Sequence, residues 1–262
     1  MKLKTNTYHN HLIKDTKRTK TLLNAITSTA KNTKHKNLAI DLGCGSGILT
    51  IQASKYYKKV IGIENNPEII PYTKENTKPY KNITINKTNA ITYKYTEQPD
   101  LIICEMLDTA LIDEEQAPTL NNIPQNIKNN TKIIPYGIIN KIQPINMKNT
   151  HIIYEDTDYQ PKYTPIGETT IYDKINFKKQ INTKFKKEIK VKITKNNTLN
   201  GIKIITETII TPNNTLKPTP MLNPPLLIPL KNPQKVEKNT TQTIKLTYQM
   251  GQGLETIKTK IQ

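Results

Sequence analysis

The feature that most constrains the fold is a short apolar run that leads into three alternating glycines, LAIDLGCGSG at Leu38–Gly47. The apolar residues predict a buried parallel strand, and the apolar spacing after Gly47 predicts a helix. Glycines at such a turn allow a ligand to lie against the backbone, where side chains would block it. A second apolar run, Val60–Ile63, ends in Glu64, whose carboxylate can accept both hydroxyls of a ribose. The pattern therefore predicts a nucleotide-binding βαβ unit.

The spacing of the glycines argues against a dinucleotide ligand. A dinucleotide site requires G-x-G-x-x-G or a final alanine, so that a pyrophosphate can sit on the helix N-terminus. Counted from Gly43 the final position is Ile48, and counted from Gly45 it is Thr50. Asp41 at the strand end would also repel a pyrophosphate, whereas it suits a cationic ligand.

The pattern D-x-G-x-G-x-G followed by a strand-end glutamate resembles class I S-adenosylmethionine (SAM) methyltransferases. The resemblance implies that Asp41 lies near the methionine amino end and that Glu64 holds the ribose. After the third predicted strand, Asn89 and Ala90 would face the adenine, with the Asn amide at its exocyclic amine. The implied cofactor residues of this region are Asp41, Gly43, Cys44, Gly45, Gly47, Glu64, Asn65, Asn89 and Ala90.

The charge of the chain leaves two interpretations open. The formal net charge is +18, which is typical of nucleic-acid-binding proteins. Arg18 is the single arginine among the 39 basic residues, and asparagine, isoleucine and threonine are abundant. The lysines could therefore form a binding surface or reflect a biased composition with a solvated surface.

Cysteine usage and hydropathy indicate a protein of a reducing compartment. Cys44 lies in the glycine turn, and Cys104 ends a predicted buried strand, where a structural thiol is favoured over a nucleophile. The N-terminal residues contain no apolar signal region, and no stretch reaches the ~18 apolar residues of a membrane span. We expect a soluble, cytoplasmic protein without a membrane partner and without a metal site.

The chain divides into two parts of different periodicity. Residues 1–135 predict a helix over Asp15–Lys31 and five strands alternating with helix-length segments, as in a parallel sheet. The predicted strands are Leu38–Leu42, Val60–Glu64, Ile83–Asn86, Leu101–Cys104 and Lys132–Ile134. Residues 136–262 predict an antiparallel β-barrel or sandwich. Its predicted strands are Ile138–Ile145, Thr150–Tyr154, Thr169–Tyr172, Glu188–Thr194, Ile202–Ile210, Thr243–Tyr248 and Leu254–Ile261, and the proline-rich Thr211–Pro233 is predicted to be a long loop with extended pieces.

Two acids follow the fourth predicted strand. Glu105 comes directly after Cys104 and therefore stands at the edge where the carboxyl ends of parallel strands line a crevice. Glu114 follows nine residues later, so both could hold a cationic or NH-rich acceptor. Taken singly, each could equally be a solvated acid or a helix N-terminal acid. The Glu-x8-Glu spacing resembles the double-glutamate loop of protein arginine methyltransferases, which implies that Glu105 and Glu114 are catalytic.

The flanking segments resemble the same family. Leu12–Thr19 resembles the segment M-x-K-D-x-x-R-T before the SAM domain, which implies that Arg18 contacts the methionine carboxylate and that His9 lies near the cofactor. An arginine fork suits a carboxylate better than lysine does. Ile133–Pro135 resembles the junction into that family's barrel. Where the family carries a Thr-His-Trp loop this chain has NPPLLIPL at Asn223–Leu230, and Asp156–Gly167 leaves little room for the family's dimerisation arm.

The acceptor stays open between several alternatives. A base-modifying aminomethylase would carry D/N-P-P-Y where this chain has Cys104-Glu105-Met106-Leu107. Two carboxylates favour a guanidinium or ammonium, and hence N-methylation of a protein. The basic surface favours RNA, and similar archaeal-type proteins are described as predicted RNA methylases. A non-catalytic SAM-binding subunit is a third alternative, and the oligomeric state is not predicted.

Overall fold

The computed structural model describes residues 3–156 and 159–262. Its helices lie before and between the strands of the first half of the chain. They are α1 (Thr7–Lys14), α2 (Thr16–Lys31), α3 (Ile48–Ser54), α4 (Ile70–Thr77), α5 (Gln116–Asn122) and α6 (Gln125–Asn130). Asp15 ends α1 and caps α2, because its carboxylate accepts the backbone N–H of Arg18 at 3.1 Å. The expected helix over Asp15–Lys31 is thus confirmed, and α1 was not foreseen.

Fifteen strands follow one another along the described chain. They are β1 (Leu38–Leu42), β2 (Lys59–Glu64), β3 (Ile83–Lys87), β4 (Leu101–Cys104), β5 (Lys132–Ile134), β6 (Gly137–Met147), β7 (Ile153–Tyr154), β8 (Tyr163–Pro165), β9 (Thr170–Asn176), β10 (Lys184–Lys192), β11 (Asn197–Thr211), β12 (Asn214–Leu216), β13 (Leu226–Val236), β14 (Thr241–Gln249) and β15 (Lys258–Ile261).

The first five strands form a parallel sheet in the order β3-β2-β1-β4-β5. β1 and β4 are buried throughout, as expected for strands covered by helices on both faces. The order reverses between β1 and β4, so the carboxyl ends of these two strands open onto the crevice where ligands bind in such sheets. The glycine turn follows β1 and the segment with Glu105 and Glu114 follows β4, so both begin at this edge of the sheet. This confirms the predicted Rossmann-like arrangement.

The remaining strands form a barrel-like antiparallel structure from two sheets. One sheet has the order β7-β13-β11-β6-β8 with β9 paired to β6, and the other is β10-β14-β15. The side chain of Asn232 on β13 forms hydrogen bonds with the backbone of Ile261 on β15, and the N–H of Glu168 donates to Lys192 O on β10. The three-stranded sheet is therefore joined to the rest of the barrel along both of its edges. Their inner faces continue one hydrophobic core with the parallel sheet. The predicted fold class is therefore confirmed.

Three sequence predictions in the barrel need correction. The extended pieces expected in the loop Thr211–Pro233 are two paired strands, β12 and most of β13; Pro229 and Pro233 hid a strand whose register against β11 shifts between Leu199 and Gly201. Only Ile153–Tyr154 of the expected strand Thr150–Tyr154 is extended and paired. Leu254–Thr256 is a 3₁₀ turn, so the last strand begins at Lys258. No helix in the described part of the chain is long and apolar enough to cross a membrane.

Candidate active site

A cavity of about 230 Å³ opens at the carboxyl edge of the parallel sheet. Its walls come from α1, from the glycine turn after β1, from the end of β2 and from the segment after β4. The predicted site residues that line it are His9, Arg18, Asp41, Gly43, Cys44, Gly45, Glu64, Glu105 and Glu114. The structure thus brings together residues from four separate parts of the sequence.

Four predicted cofactor residues are not among the described residues that line this cavity. They are Gly47, Asn65, Asn89 and Ala90. Gly47 has φ +83° and caps α3, while Asn65 is exposed beside Asn66, which does line the cavity. Asn89 Oδ1 accepts the N–H of Ile91 at 2.7 Å. The residues predicted to contact the methionine and ribose thus line one cavity, and their contacts, like the adenine contact, stay predictions.

Side chains from two distant segments cover the glycine turn. Gly43 has φ +71°, and a Cβ there would lie 2.6 Å from Met106 Sδ. A Cβ at Gly45 would lie 2.8 Å from His9 Nε2. Any larger residue would push these covering side chains away from the turn, so the two glycines are needed both for the backbone turn and for this close approach.

Backbone donors fix the two carboxylates at the ends of β1 and β2. Glu64 Oε2 accepts the N–H of Gly45 at 2.9 Å, and Glu64 Oε1 accepts two further N–H groups, of Asn65 at 2.9 Å and Asn66 at 2.8 Å. Asp41 is 2% exposed, and Thr50 Oγ1 donates to its Oδ2 at 2.6 Å. Burial raises the pKa of Asp41 to about 7, against the hydrogen bond from Thr50.

Arg18 lines the cavity beside Glu105. Its Nη2 pairs with Glu105 Oε2, and its Nη1 donates to Leu12 O at 3.3 Å. Its buried Nε has no hydrogen-bond partner within residues 3–156 and 159–262. Burial lowers the pKa of Arg18 to about 10, so the guanidinium remains charged at neutral pH.

His9 is held in one orientation over the turn. Both its backbone N–H and its Nδ1 contact Asn6 Oδ1, each at 2.9 Å. Burial lowers the pKa of His9, although Glu64 acts in the opposite direction. The ring is therefore neutral at pH 7, and with Nδ1 donating to Asn6 its Nε2 is an acceptor at the turn.

Two buried polar side chains that the sequence analysis missed hold the segment 105–114, here called the double-glutamate loop. Gln116 Oε1 accepts Met106 N–H at 2.9 Å, and its Nε2 donates to Cys104 O at 2.7 Å, so one amide clamps both neighbours of Glu105. Asp108 Oδ2 accepts the N–H groups of Ile112 and Asp113 at 3.0 and 2.8 Å, and its Oδ1 accepts Glu114 N–H at 3.3 Å. Nothing in the sequence around Gln116 and Asp108 distinguishes them from polar residues that are exposed to solvent.

The barrel supports the same loop from the other side. Ala110 and Leu111 both have φ of 60°, a left-handed conformation that non-glycine residues rarely adopt. Ala110 N–H donates to Thr206 Oγ1 on β11 at 2.9 Å, and Gly251 N–H after β14 donates to Leu111 O at 2.9 Å. Barrel contacts therefore keep a strained backbone in place.

Glu114 and Met221 complete the opening. Glu114 is exposed at the cavity mouth, and its pKa is raised by partial burial and by the neighbouring Asp113 and Glu115. Met221, from the loop before β13, lines the cavity. Its N–H donates to Asp15 Oδ2 at 3.1 Å, which ties the barrel to the α1–α2 junction.

The residues present fit SAM. The carboxylates of Asp41 and Glu64 suit its cationic and ribose ends, and the unpartnered Nε of Arg18 is a buried donor that a methionine carboxylate would satisfy. A glycine turn with no room for side chains provides the surface against which such a ligand lies. Fold and site together define a class I SAM-dependent methyltransferase.

Comparisons with known proteins give the family. The sequence model of ribosomal protein L11 methyltransferase (PrmA) matches residues 15–160, and the chain belongs to this family. It is 36% identical over 261 residues to an uncharacterized protein of Methanothermobacter thermautotrophicus, covering 100% of both chains. It is 30% identical over 116 residues to the ribosomal protein L11 methyltransferase of Thermosipho africanus, covering 44% of this chain and 42% of that protein.

A solved structure shares nearly the whole fold. It is the protein arginine methyltransferase 1 enzyme–prozyme complex of Trypanosoma brucei with AdoHcy, at a TM-score of 0.74 and 16% identity, covering 92% of this chain and 89% of that chain. At this identity the likeness establishes the fold, a methyltransferase domain with a barrel. The family match, together with this fold, makes the chain an enzyme, a SAM-dependent methyltransferase.

Proposed function

We propose that this methyltransferase transfers its methyl group to a nitrogen of a protein, and that Glu105 and Glu114 hold that acceptor. The observation that carries the proposal is the presence of both carboxylates in the wall of the same cavity as Asp41 and Glu64. A cationic or NH-rich acceptor is attracted by such a cluster, whereas the phosphates of RNA are repelled by it. The name of the Thermosipho africanus relative, a ribosomal protein methyltransferase, agrees with a protein acceptor.

The two glutamates have different environments and therefore different roles in the proposal. Glu105 is paired with the guanidinium of Arg18, and Gln116 holds the backbone on both sides of it, so it provides a fixed acceptor of N–H groups. Glu114 is at the mouth, and its raised pKa suits a group that accepts the proton lost by the methylated nitrogen.

Positioning is the main contribution of the chain's own residues. The bound cofactor would supply an electrophilic methyl group on a sulfonium, and the protein brings the acceptor nitrogen in line with it. Arg18, Asp41 and Glu64 are proposed to hold the cofactor, and Met106 with His9 is proposed to exclude water from the glycine turn.

The type of nitrogen follows from the loop before β13. Met221 provides an apolar wall there, and the chain has no tryptophan. An apolar wall with two carboxylates accommodates an amine or ammonium as well as a guanidinium, so we propose a nitrogen acceptor without restricting it to arginine. We also propose the cytoplasm as the location, in keeping with the two free, buried cysteines.

The proposal is tested by labelling with methyl-tritiated SAM in an extract of the source cells, divided into protease-treated and RNase-treated halves. We expect the label to be released by protease and retained after RNase. Label that is lost with RNase and survives protease would overturn the protein acceptor. The catalytic variants Glu105→Gln and Glu114→Gln serve as background controls in both halves.

A further inference from the structure

The outer face of the three-stranded sheet β10-β14-β15 carries a dense group of lysines. The strands alternate, so that Phe185, Ile189 and Leu246 point into the barrel and every second residue points to solvent; Lys187 is the exception, exposed at an inward position and paired with Asp173. Six lysines on the outward face, here called the lysine face, pair with no carboxylate in the described part of the chain. They are Lys184, Lys186, Lys190, Lys245, Lys258 and Lys260.

Strand register places these side chains in rows across the sheet. Lys186 stands opposite Thr247, which is opposite Lys258, and Lys245 is opposite Lys260. Residues two apart along a strand are about 6.6 Å apart, and neighbouring strands are about 4.8 Å apart. Glu188 is the single acid in the three strands; it stands opposite Lys245 on the same face, and its Oε1 accepts a hydrogen bond from Gln262 Nε2 at 3.0 Å. One carboxylate therefore accompanies the six lysines, and the face keeps a net positive charge.

The lysine face reaches the active-site loop. β14 ends at Gln249, opposite Lys184, and the turn that follows donates Gly251 N–H to Leu111 O at 2.9 Å and Gln252 N–H to Ile112 O at 3.1 Å. A partner bound along the face therefore extends to the loop that carries Glu114.

We infer that the lysine face is a docking surface for the phosphate backbone of RNA. Lysines in rows, with the hydroxyls of Thr243 and Thr247 between them, offer point charges and hydrogen bonds to phosphates. The aromatic residues of these strands, Phe185 and Tyr248, are buried inside the barrel and cannot stack on bases. The face therefore contacts the RNA backbone and not its bases. It exposes no apolar side chain that could insert into a lipid surface.

This inference is independent of the proposed protein acceptor, because it concerns binding and not transfer. An acceptor protein seated on RNA would use both surfaces at once. The carboxylate-lined cavity would take its nitrogen while the lysine face holds the neighbouring RNA.

Fluorescence anisotropy with a labelled oligouridine of about 20 nucleotides tests the inference. The face variant replaces Lys184, Lys186, Lys190 and Lys245 by glutamine. The control variant replaces four exposed lysines of the parallel-sheet half, Lys58, Lys78, Lys81 and Lys87, and so lowers the net charge equally. We expect the face variant to bind roughly 10-fold more weakly or worse, and its salt slope to fall by roughly 0.7 for each lost phosphate contact. The control should keep the wild-type slope.

Equal weakening of both variants would overturn the inference, because it would mean that bulk charge alone is responsible. Competition by polyaspartate as strong as that by RNA at equal charge would also overturn it, in favour of an acidic protein partner. Retained SAM affinity verifies that each variant is folded. As a second measurement, ultraviolet crosslinking of oligouridine to the wild-type protein should map to residues 184–192 and 241–260, and crosslinks confined to other segments would contradict the inference.

Discussion

Arg18, the chain's single arginine, is buried in the wall of the candidate active site, where it pairs with Glu105. Its position explains why lysine could not replace it there. A guanidinium can serve Glu105, Leu12 O and a further acceptor at once, because its five donors lie in one plane. An ammonium on a flexible stem cannot reach all three from one position.

Arg18→Lys should therefore weaken SAM binding although the charge is retained. We expect the dissociation constant to rise at least about 10-fold, equivalent to about 1.4 kcal/mol. Calorimetric titration with SAM measures the change, and the exposed neighbour variant Lys17→Ala should bind as the wild type does. An unaltered dissociation constant for Arg18→Lys would remove this residue from the cofactor site.

Asp41 should make SAM affinity depend on pH. Its pKa in the free protein is about 7, because burial disfavours the carboxylate. A cation placed beside it lowers that pKa, so binding below pH 7 releases a proton. Affinity should then rise with pH, by at most about 10-fold per unit, and level off above about pH 7.

Titration of SAM at several pH values checks this dependence. Asp41→Asn should flatten the curve below pH 7. Asp108→Asn is the matched control, because Asp108 also has a pKa of about 7 but lies outside the described cavity lining. A slope that disappears in the Asp108 variant and persists in the Asp41 variant would show that the wrong carboxyl was assigned.

At the scale of elements, the double-glutamate loop depends on both halves of the molecule. Gln116 at the start of α5 holds the backbone around Glu105, and Thr206 on β11 holds Ala110. The loop is therefore fixed between the parallel sheet and the barrel, which is what a site that must align an acceptor requires.

Gln116→Leu should separate this positioning role from simple packing. The substitution leaves Cys104 O and Met106 N–H without their buried partner, so we expect a loss of about 1–3 kcal/mol in the free energy of unfolding. Methyl transfer should fall by roughly 10-fold or more at saturating SAM. Urea denaturation and transfer assays measure both quantities, and Gln125→Leu on the exposed start of α6 should change neither. Full activity in a destabilised Gln116→Leu protein would refute the positioning role.

Local pattern predicted the strands that are simple apolar runs. β1, β4 and β5 begin and end where expected, because buried parallel strands are continuous apolar segments. β13 was predicted only as an extended piece of a loop, because Pro229 and Pro233 are typical of loops and its pairing depends on a shift in the register of β11. β13 lies between β11 and β7, and this placement depends on tertiary contacts that a short stretch of sequence does not reveal.

The candidate site was predicted where motifs mark it and missed where distant contacts create it. Arg18, Asp41, Glu64 and Glu105 follow from a resemblance carried by short motifs, and they line one cavity. Met221 joins that cavity from far along the chain, through its bond to Asp15. Such a contact has no sequence signal, since it arises only after the barrel has packed against α1 and α2.

At the scale of the whole molecule, the charge distribution assigns different tasks to the two halves. Carboxylates are concentrated in the cavity of the parallel-sheet half, while lysines without partners cover the outer wall of the barrel. A basic exterior raises the rate of encounter with polyanions, and an acidic cavity selects the group that reacts. This separation reconciles a net charge of +18 with the proposed acceptor, which is cationic or NH-rich.

Paired substitution of the two adjacent glutamates, Glu114→Gln and Glu115→Gln, is the most direct test of the proposed acceptor site. Both residues are exposed, but only Glu114 lines the cavity among the residues described. Glutamine keeps the shape and removes the charge, so the variants differ in position alone. Neither substitution disturbs the pair between Arg18 and Glu105, which makes this comparison cleaner than one based on Glu105.

The measurement is the rate of methyl transfer to the protein fraction of the extract, at saturating SAM. Glu114→Gln should lower that rate about 100-fold or more with SAM affinity nearly intact, because small misplacement of an acceptor has effects of this size. Glu115→Gln should retain the wild-type rate. Equal rates in the two variants, or RNA bound more tightly by Glu114→Gln with transfer preserved, would contradict the account.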